Sequence, residues 1–338
     1  MTDYLEKLCL LNAISGDEDA VREFVIEKIK NYCDYSVDNL GNVIAFRKGR
    51  KTPSKKLMIA AHMDEVGLIV TSIRPDGTLT FDTVGGVDAA VVIGKKVTIG
   101  KKNLSGVVGS KAVHKLSAKQ RDEAPKISDL YIDFGAKDKA DAEKYVNIGD
   151  CVYFDSQFIR FGNGKIKSKA IDDRAGCAIM LALIEEEPEF DTYFVFNVQE
   201  EIGLRGSTVS SFAVQPDIAI VLEATTAADI DGSSGADKVC ELGKGPVVSF
   251  MDRSTMYDKQ LYRTAFSIAD ELGIKCQTKS MIAGGNDSGA IHISGKGVRT
   301  IAVSLPCRYL HSPSCVIAEQ DCLDAFTLVK TMMKKVID

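Results

Sequence analysis

Apolar residues from Thr2 to about Lys30 recur at helical spacing, with Gly16 between two short stretches, and Tyr35 to Phe46 then alternates as a strand does. Four later runs, Leu57 to Ala61, Tyr193 to Val198, Ile218 to Leu222 and Val298 to Leu305, are apolar and rich in β-branched and aromatic residues, which predicts strands. Helical patterns lie between them: Arg174 to Glu186, Tyr257 to Leu272 with Gly273 as its C-cap, and Gln320 to Ile337. Strands alternating with helices predict an α/β fold, a mixed or parallel sheet with helical layers. From Leu68 to Ile166 the texture changes. Short apolar segments, Lys95 to Ile99, Leu104 to Val108, Leu130 to Phe134 and Asp150 to Phe154, are separated by Gly, Asp and Lys. This predicts a β-rich domain of residues 68–166 inserted into a larger domain built from 1–67 and 167–338. The stretch Ala136 to Glu143 reads as a solvated charged helix or loop.

A chain of 338 residues exceeds one comfortable core, which agrees with two domains. No apolar run approaches the roughly 20 residues that cross a bilayer, so a membrane protein is not expected. The start, MTDYLEKLCLL, has neither a basic flank nor a small-residue cleavage site, which makes the cytoplasm the default location. Nine cysteines without a C-x-x-C pair suit buried reduced thiols better than a disulfide framework. A formal net charge of -5 and the lack of a basic stripe remove the electrostatic term that nucleic-acid binding needs. There is no H-E-x-x-H, no phosphate-binding loop and no G-x-S-x-G.

The chain does hold the parts of a dinuclear hydrolytic site. Such a site needs nitrogen and oxygen ligands for two cations about 3.5 to 4 Å apart, and one further carboxylate as a base. His62 and Asp64 follow a strand and, two apart on extended backbone, face one side, so that Asp64 can orient the imidazole. Asp172, in an acidic doublet before a helix, offers two oxygens and is the candidate bridge. Glu200 and Glu201 leave the strongest strand toward different sides, which gives one base, Glu200, and one ligand, Glu201. Glu223 ends the run Ile218 to Leu222, and His311 lies beyond the last strand. Ligand sites in open α/β sheets form beyond the carboxyl ends of strands, where four of these five ligand candidates fall. Asp172, Glu201, Glu223 and one hydroxide also balance two dications, and a neutral centre can be buried.

These segments, His62-Met63-Asp64-Glu65-Val66-Gly67, Asp172-Asp173-Arg174-Ala175-Gly176-Cys177, Gln199-Glu200-Glu201-Ile202-Gly203-Leu204-Arg205-Gly206 and Arg308-Tyr309-Leu310-His311-Ser312-Pro313, resemble the dinuclear tetrahedral aminopeptidases in residue and order. That family includes glutamyl aminopeptidases and proteins long described as endoglucanases or cellulases. The resemblance spans nearly the whole chain. It implies a zinc-peptidase-like sheet between helices, an inserted PDZ-like β domain used in dimerisation, and dimers assembling into a dodecameric shell. It further implies two divalent cations per subunit, zinc or cobalt with manganese as a further candidate, and peptide substrates. In family terms His62 pairs with Glu223 or Glu201, and His311 with the other. The family commonly has Asp where this chain has Glu223, a departure that bears on the affinity and identity of that metal.

Each piece has a plainer reading. A lone histidine is more often packed than ligating, and acidic doublets cap helices. The loop Ala283 to Ala290 is either a tight turn or a substrate wall. For His114 and His292 a packing or hydrogen-bonding role is expected, and Asp229 is a candidate substrate or supporting contact. Three rival functions remain in view: a glycoside hydrolase, which the lack of any Trp disfavours; a related dinuclear deacylase or carboxypeptidase, which needs a cationic clamp; and a silent assembly protein.

Overall fold

Four parallel strands whose sequences are apolar on both faces form the centre of the molecule. In the computed structural model, which describes residues 1–230, 232–235 and 238–337, they lie in the order Thr192–Asn197, Leu57–His62, Ile218–Thr226, Arg299–Cys307. Successive side chains on a strand alternate between faces. Leu57, Ile59 and Ala61 accordingly join one core with the helices Thr2–Leu10, Asp19–Ile29, Ile171–Glu185, Lys259–Leu272 and Glu319–Lys335. Met58 and Ala60 join a second core on the opposite face, with Val214 and Ile291 from the helices Arg205–Val214 and Ser288–Ile291. Gly273 caps its helix in the left-handed conformation, as its position predicts.

Further strands extend the sheet to eight: Val43–Arg47 and Asp34–Val37 through antiparallel pairs at one edge, and at the other Val247–Val248, antiparallel to Arg299–Cys307, and then Gln277–Thr278, parallel to Val247–Val248. The segment Tyr35 to Phe46 is therefore a hairpin and not one strand. Asp38 Oδ1 accepts the N–H groups of Leu40, Gly41 and Asn42, and Gly41 takes a positive φ, so a turn interrupts the alternation.

The stretch of short segments closes on itself. Gly67–Ile73, Leu79–Val84, Tyr131–Asp133, Leu104–Gly109, Lys96–Ile99 and Cys151–Phe154 form a closed barrel, in that order, around Leu68, Val70, Phe81, Val97, Ile132 and Phe154. The barrel stands where the resemblance implies a PDZ-like domain. Ile159–Phe161 and Lys165–Ser168 do not join it. They pair with each other and with Cys315–Ala318, and Ile166 packs into the larger core. Within Ala136 to Glu143 a single turn of helix, Lys139–Ala142, starts on the Asp138 side chain. Among the described residues no helix is long and apolar enough to cross a membrane.

Candidate metal centre and active site

The predicted ligands meet beyond the carboxyl ends of the central strands. His62 is the last residue of its strand, and Glu200 and Glu201 follow Thr192–Asn197. Glu223 does not end its strand as expected. It sits inside Ile218–Thr226, level with Ser304 of the neighbouring strand. Asp172 and Asp173 occupy the first turn of Ile171–Glu185, where both depart from helical backbone angles.

Asp172 lies between the two imidazoles. Its Oδ1 is 3.3 Å from His62 Nε2 and its Oδ2 is 3.5 Å from His311 Nε2. Glu223 Oε1 stands 3.4 Å from His62 Nε2, and Glu201 Oε2 stands 3.3 Å from His311 Nε2. In a tetrahedral site with bonds of about 2.0–2.1 Å, ligand atoms are separated by about 3.3 Å. Within each triad the spacing from the imidazole to its two carboxylate oxygens is of that size. Glu200 Oε2 is 4.0 Å from His62 Nε2, facing the same space from farther out. Asp173 also brings an oxygen within 4.8 Å of His62 and Glu223 ligand atoms, and Glu201 brings one within that distance of His62 and Asp172. Asp172 is the better bridge, because its two oxygens face different imidazoles.

The carboxylates behind this cluster fix the backbone that carries it. Asp64 Oδ1 accepts the N–H of Glu200 at 3.0 Å, and its Oδ2 accepts the N–H of Glu201 at 3.1 Å and the Ser15 hydroxyl at 2.6 Å. Glu18 Oε1 accepts the N–H of Gln199 at 3.1 Å, so three successive N–H groups end on two buried carboxylates. His62 Nδ1 bonds the Asp64 carbonyl oxygen at 3.0 Å, with the Asp64 carboxylate 3.4 Å away. Asp64 thus holds the imidazole and the glutamate loop together. His311 is oriented from the barrel side: its Nδ1 bonds the Gly86 carbonyl at 3.0 Å. Ala170, Gln199, Leu204, Tyr309 and His311 all take positive φ although none is glycine. Such residues cost of order 1–3 kcal/mol each and collect where structure serves a site.

Sequence reasoning missed Arg174, Lys169 and Glu65. Arg174 is fully buried and donates to the carbonyls of Leu8, Met63 and Ala13 at 2.6, 2.7 and 3.1 Å. Lys169 Nζ lies 2.5 Å from Glu65 Oε1. This buried group ties the helix behind Asp172 to the turn behind His62.

So many buried acids repel one another. Burial, with help from Asp172, pushes Glu201 up to about 8. Burial and neighbouring carboxylates hold Glu200, Glu223 and Asp173 well above the usual range. Burial works against protonated His62 and His311, yet the carboxylates outweigh it and lift His62 well above its ordinary value and His311 to about 9. A raised carboxyl or imidazole binds more protons folded than unfolded, so its stabilising contribution is lost as pH rises through the folded value. Asp64 and Asp172 are shifted down, and above pH 5 their contribution is already complete. Chelated, metal-free protein is therefore expected to melt lower at pH 9 than at pH 5, by about 5 °C or more. Restored divalent cation should shrink that difference. Calorimetry at both pH values checks it, and a metal-free melting point that rises with pH contradicts it.

The other expected residues fall as follows. Asp229 forms a bidentate pair with Arg308 at 2.6 and 2.9 Å, at the base of the turn that carries His311. His292 Nδ1 bonds the Ser288 carbonyl, while His114 is exposed. Gly284, Gly285 and Asn286 line a cleft of 670 Å³ together with Asp172, Glu200 and His311, which favours the substrate wall over a bare turn. All nine cysteines are unpaired, and seven are buried.

The family described as M42 glutamyl aminopeptidase matches residues 41–328. The chain belongs to this family. It is a metallopeptidase, a hydrolase, and the glycoside hydrolase and carboxypeptidase readings are set aside. The lysyl aminopeptidase of Pyrococcus furiosus is 33% identical over 98% of this chain and 96% of its own length. Among solved structures, aminopeptidase APDkam598 from the archaeon Desulfurococcus kamchatkensis is 34% identical, with a TM-score of 0.93 over 99% of this chain and 95% of that one. The Pyrococcus horikoshii TET1 peptidase, described as assembling into a tetrahedron or a large octahedral shell, is 31% identical, with a TM-score of 0.86 over 98% of each chain.

Proposed function

We propose that this M42 peptidase removes amino-terminal residues one at a time from short peptides. Two divalent cations, zinc or cobalt with manganese as a further candidate, would be held by His62, Asp172 and Glu223 and by His311, Asp172 and Glu201. The observation that carries this reading is Asp172, whose two oxygens each face a different imidazole at 3.3 and 3.5 Å.

The cations, when bound, lower the pKa of a water and polarise the scissile carbonyl. Glu200 is the general base. Its carboxylate takes the water's proton at Oε2 and returns it to the leaving amine. Asp64 acts on the reaction through position, since it holds both the His62 ring and the backbone of Glu200 and Glu201. The acidic floor of the cleft suits a free α-amino group, which limits cleavage to the first peptide bond.

The likeness to TET1 peptidases described as dodecamers and closed shells supports assembly into a dodecamer, with dimers that would be built through the inserted region of residues 68–166, which holds the barrel. Nine unpaired thiols suit a reducing compartment, the cytoplasm.

The test is a panel of aminoacyl-coumarin substrates offered to metal-free protein with zinc, cobalt or manganese restored. Coumarin release should require metal and a free α-amino group. Equal release from amino-blocked substrates, or release that persists in chelator, overturns the reading.

A further inference from the structure

The loop that carries Glu200 and Glu201 is closed at its neck by one side-chain amide. Val43 pairs with Phe196 beside the central strands, which sets Asn42 next to the point where Thr192–Asn197 gives way to the loop. Asn42 is fully buried. Its Oδ1 accepts the Val198 N–H at 2.9 Å and its Nδ2 donates to the Gly206 carbonyl at 3.0 Å, so it grips the residues on either side of Gln199 to Arg205. Nδ2 also donates to Asp38 Oδ2 at 2.6 Å, and that carboxylate fixes which way the amide points.

Val198 and Gly206 meet at that neck. The Gly206 N–H donates to the Val198 carbonyl at 3.0 Å, and a Cβ on Gly206 would collide with that oxygen and with Asn42 Oδ1. The successive N–H groups of Val198, Gln199, Glu200 and Glu201 therefore all end on side chains from outside the loop, those of Asn42, Glu18 and Asp64. Just inside the neck Gln199 and Leu204 hold positive φ, a conformation that persists only where its surroundings over-determine it. Asn42 does not line the cleft, so its influence on the reaction has to pass through the loop.

We propose that Asn42 is a positioning residue for the reaction: its amide holds the neck of the loop so that Glu200 and Glu201 face the cation sites. This rests on the aminopeptidase reading above and adds to it a residue that does not reach the cleft. An amide suits both sides of the neck. A carboxylate has no hydrogen to give the Gly206 carbonyl, and a hydrocarbon serves neither partner. A displacement of about 1 Å at a reacting group costs on the order of 100-fold in rate, so a loosened neck is felt at Glu200.

The test uses Asn42→Ala and Gly206→Ala, one on each side of the neck, with saturating zinc and the aminoacyl-coumarin that the wild-type enzyme releases fastest. In each variant kcat should fall by about 10- to 100-fold while KM stays within about twofold. The double substitution should lose less than the product of the single losses, because both act through one contact. Amide hydrogen exchange on the full-length chain gives a readout that needs no activity. Residues 198–206 should exchange faster by about tenfold or more, with the strands Leu57–His62 and Ile218–Thr226 unchanged. Turnover of Asn42→Ala within about twofold of wild type overturns this inference and leaves the aminopeptidase reading standing. Faster exchange spread over the whole sheet, or loss of the folded state in both variants, overturns it too, since Asn42 would then serve stability alone. A wild-type enzyme inactive on every substrate overturns the aminopeptidase reading, and this inference with it.

Discussion

Glu200→Gln is expected to bind its full complement of metal and to lose kcat by about 10²- to 10⁴-fold, the usual worth of a positioned general base. The substitution keeps the shape of the side chain and the N–H that Asp64 Oδ1 holds at 3.0 Å, so the loop should stay in place. Only the capacity to take a proton disappears. Metal analysis beside steady-state kinetics separates the two effects. A variant that keeps near-normal turnover removes Glu200 from the chemistry, and one that loses metal makes it a ligand.

Asp172→Asn should have the larger structural effect. Asp172 is the one side chain shared by both triads, so its loss should empty both positions, with apparent affinity falling by more than about 100-fold, beyond the cost of changing an outer-shell partner. His311→Ala should instead remove one cation, because His62 and Glu223 keep their partners. Equilibrium dialysis with metal analysis reads both variants. Equal losses in the two variants would mean that the triads do not share Asp172 in the way its oxygens suggest.

The parts of the site legible in the sequence are those with local signatures. His62, Glu200, Glu201 and His311 follow apolar strands, and a strand's end can be read from its own residues. Glu223 is legible as a candidate ligand, yet its place inside a longer strand is not, because Ala224, Thr225 and Thr226 continue the strand with small or polar side chains. Arg174 gave no signal. Its partners are backbone carbonyls of Leu8, Ala13 and Met63, and a bond to a carbonyl leaves no mark on the identity of the residue that supplies it. Glu18 and Gly86 were invisible for a related reason. One reaches Gln199 from the first helical region and the other reaches His311 from the barrel, contacts that only the assembled fold creates. The hairpin at Asp38 was missed although its signal was present, in an Asp followed closely by Gly within an alternating stretch.

The pairing of ligands illustrates the same division. The residues alone leave open which terminal carboxylate serves which histidine, and the proposed pairing follows the shorter separations, Glu223 at 3.4 Å from His62 and Glu201 at 3.3 Å from His311.

The most direct measurement is anomalous X-ray scattering at the zinc edge from crystals of the native protein grown with zinc. Two peaks about 3.5–4 Å apart, on either side of the Asp172 carboxylate, are predicted. A single peak, or zinc lodged away from Asp172, would contradict the two-cation cage.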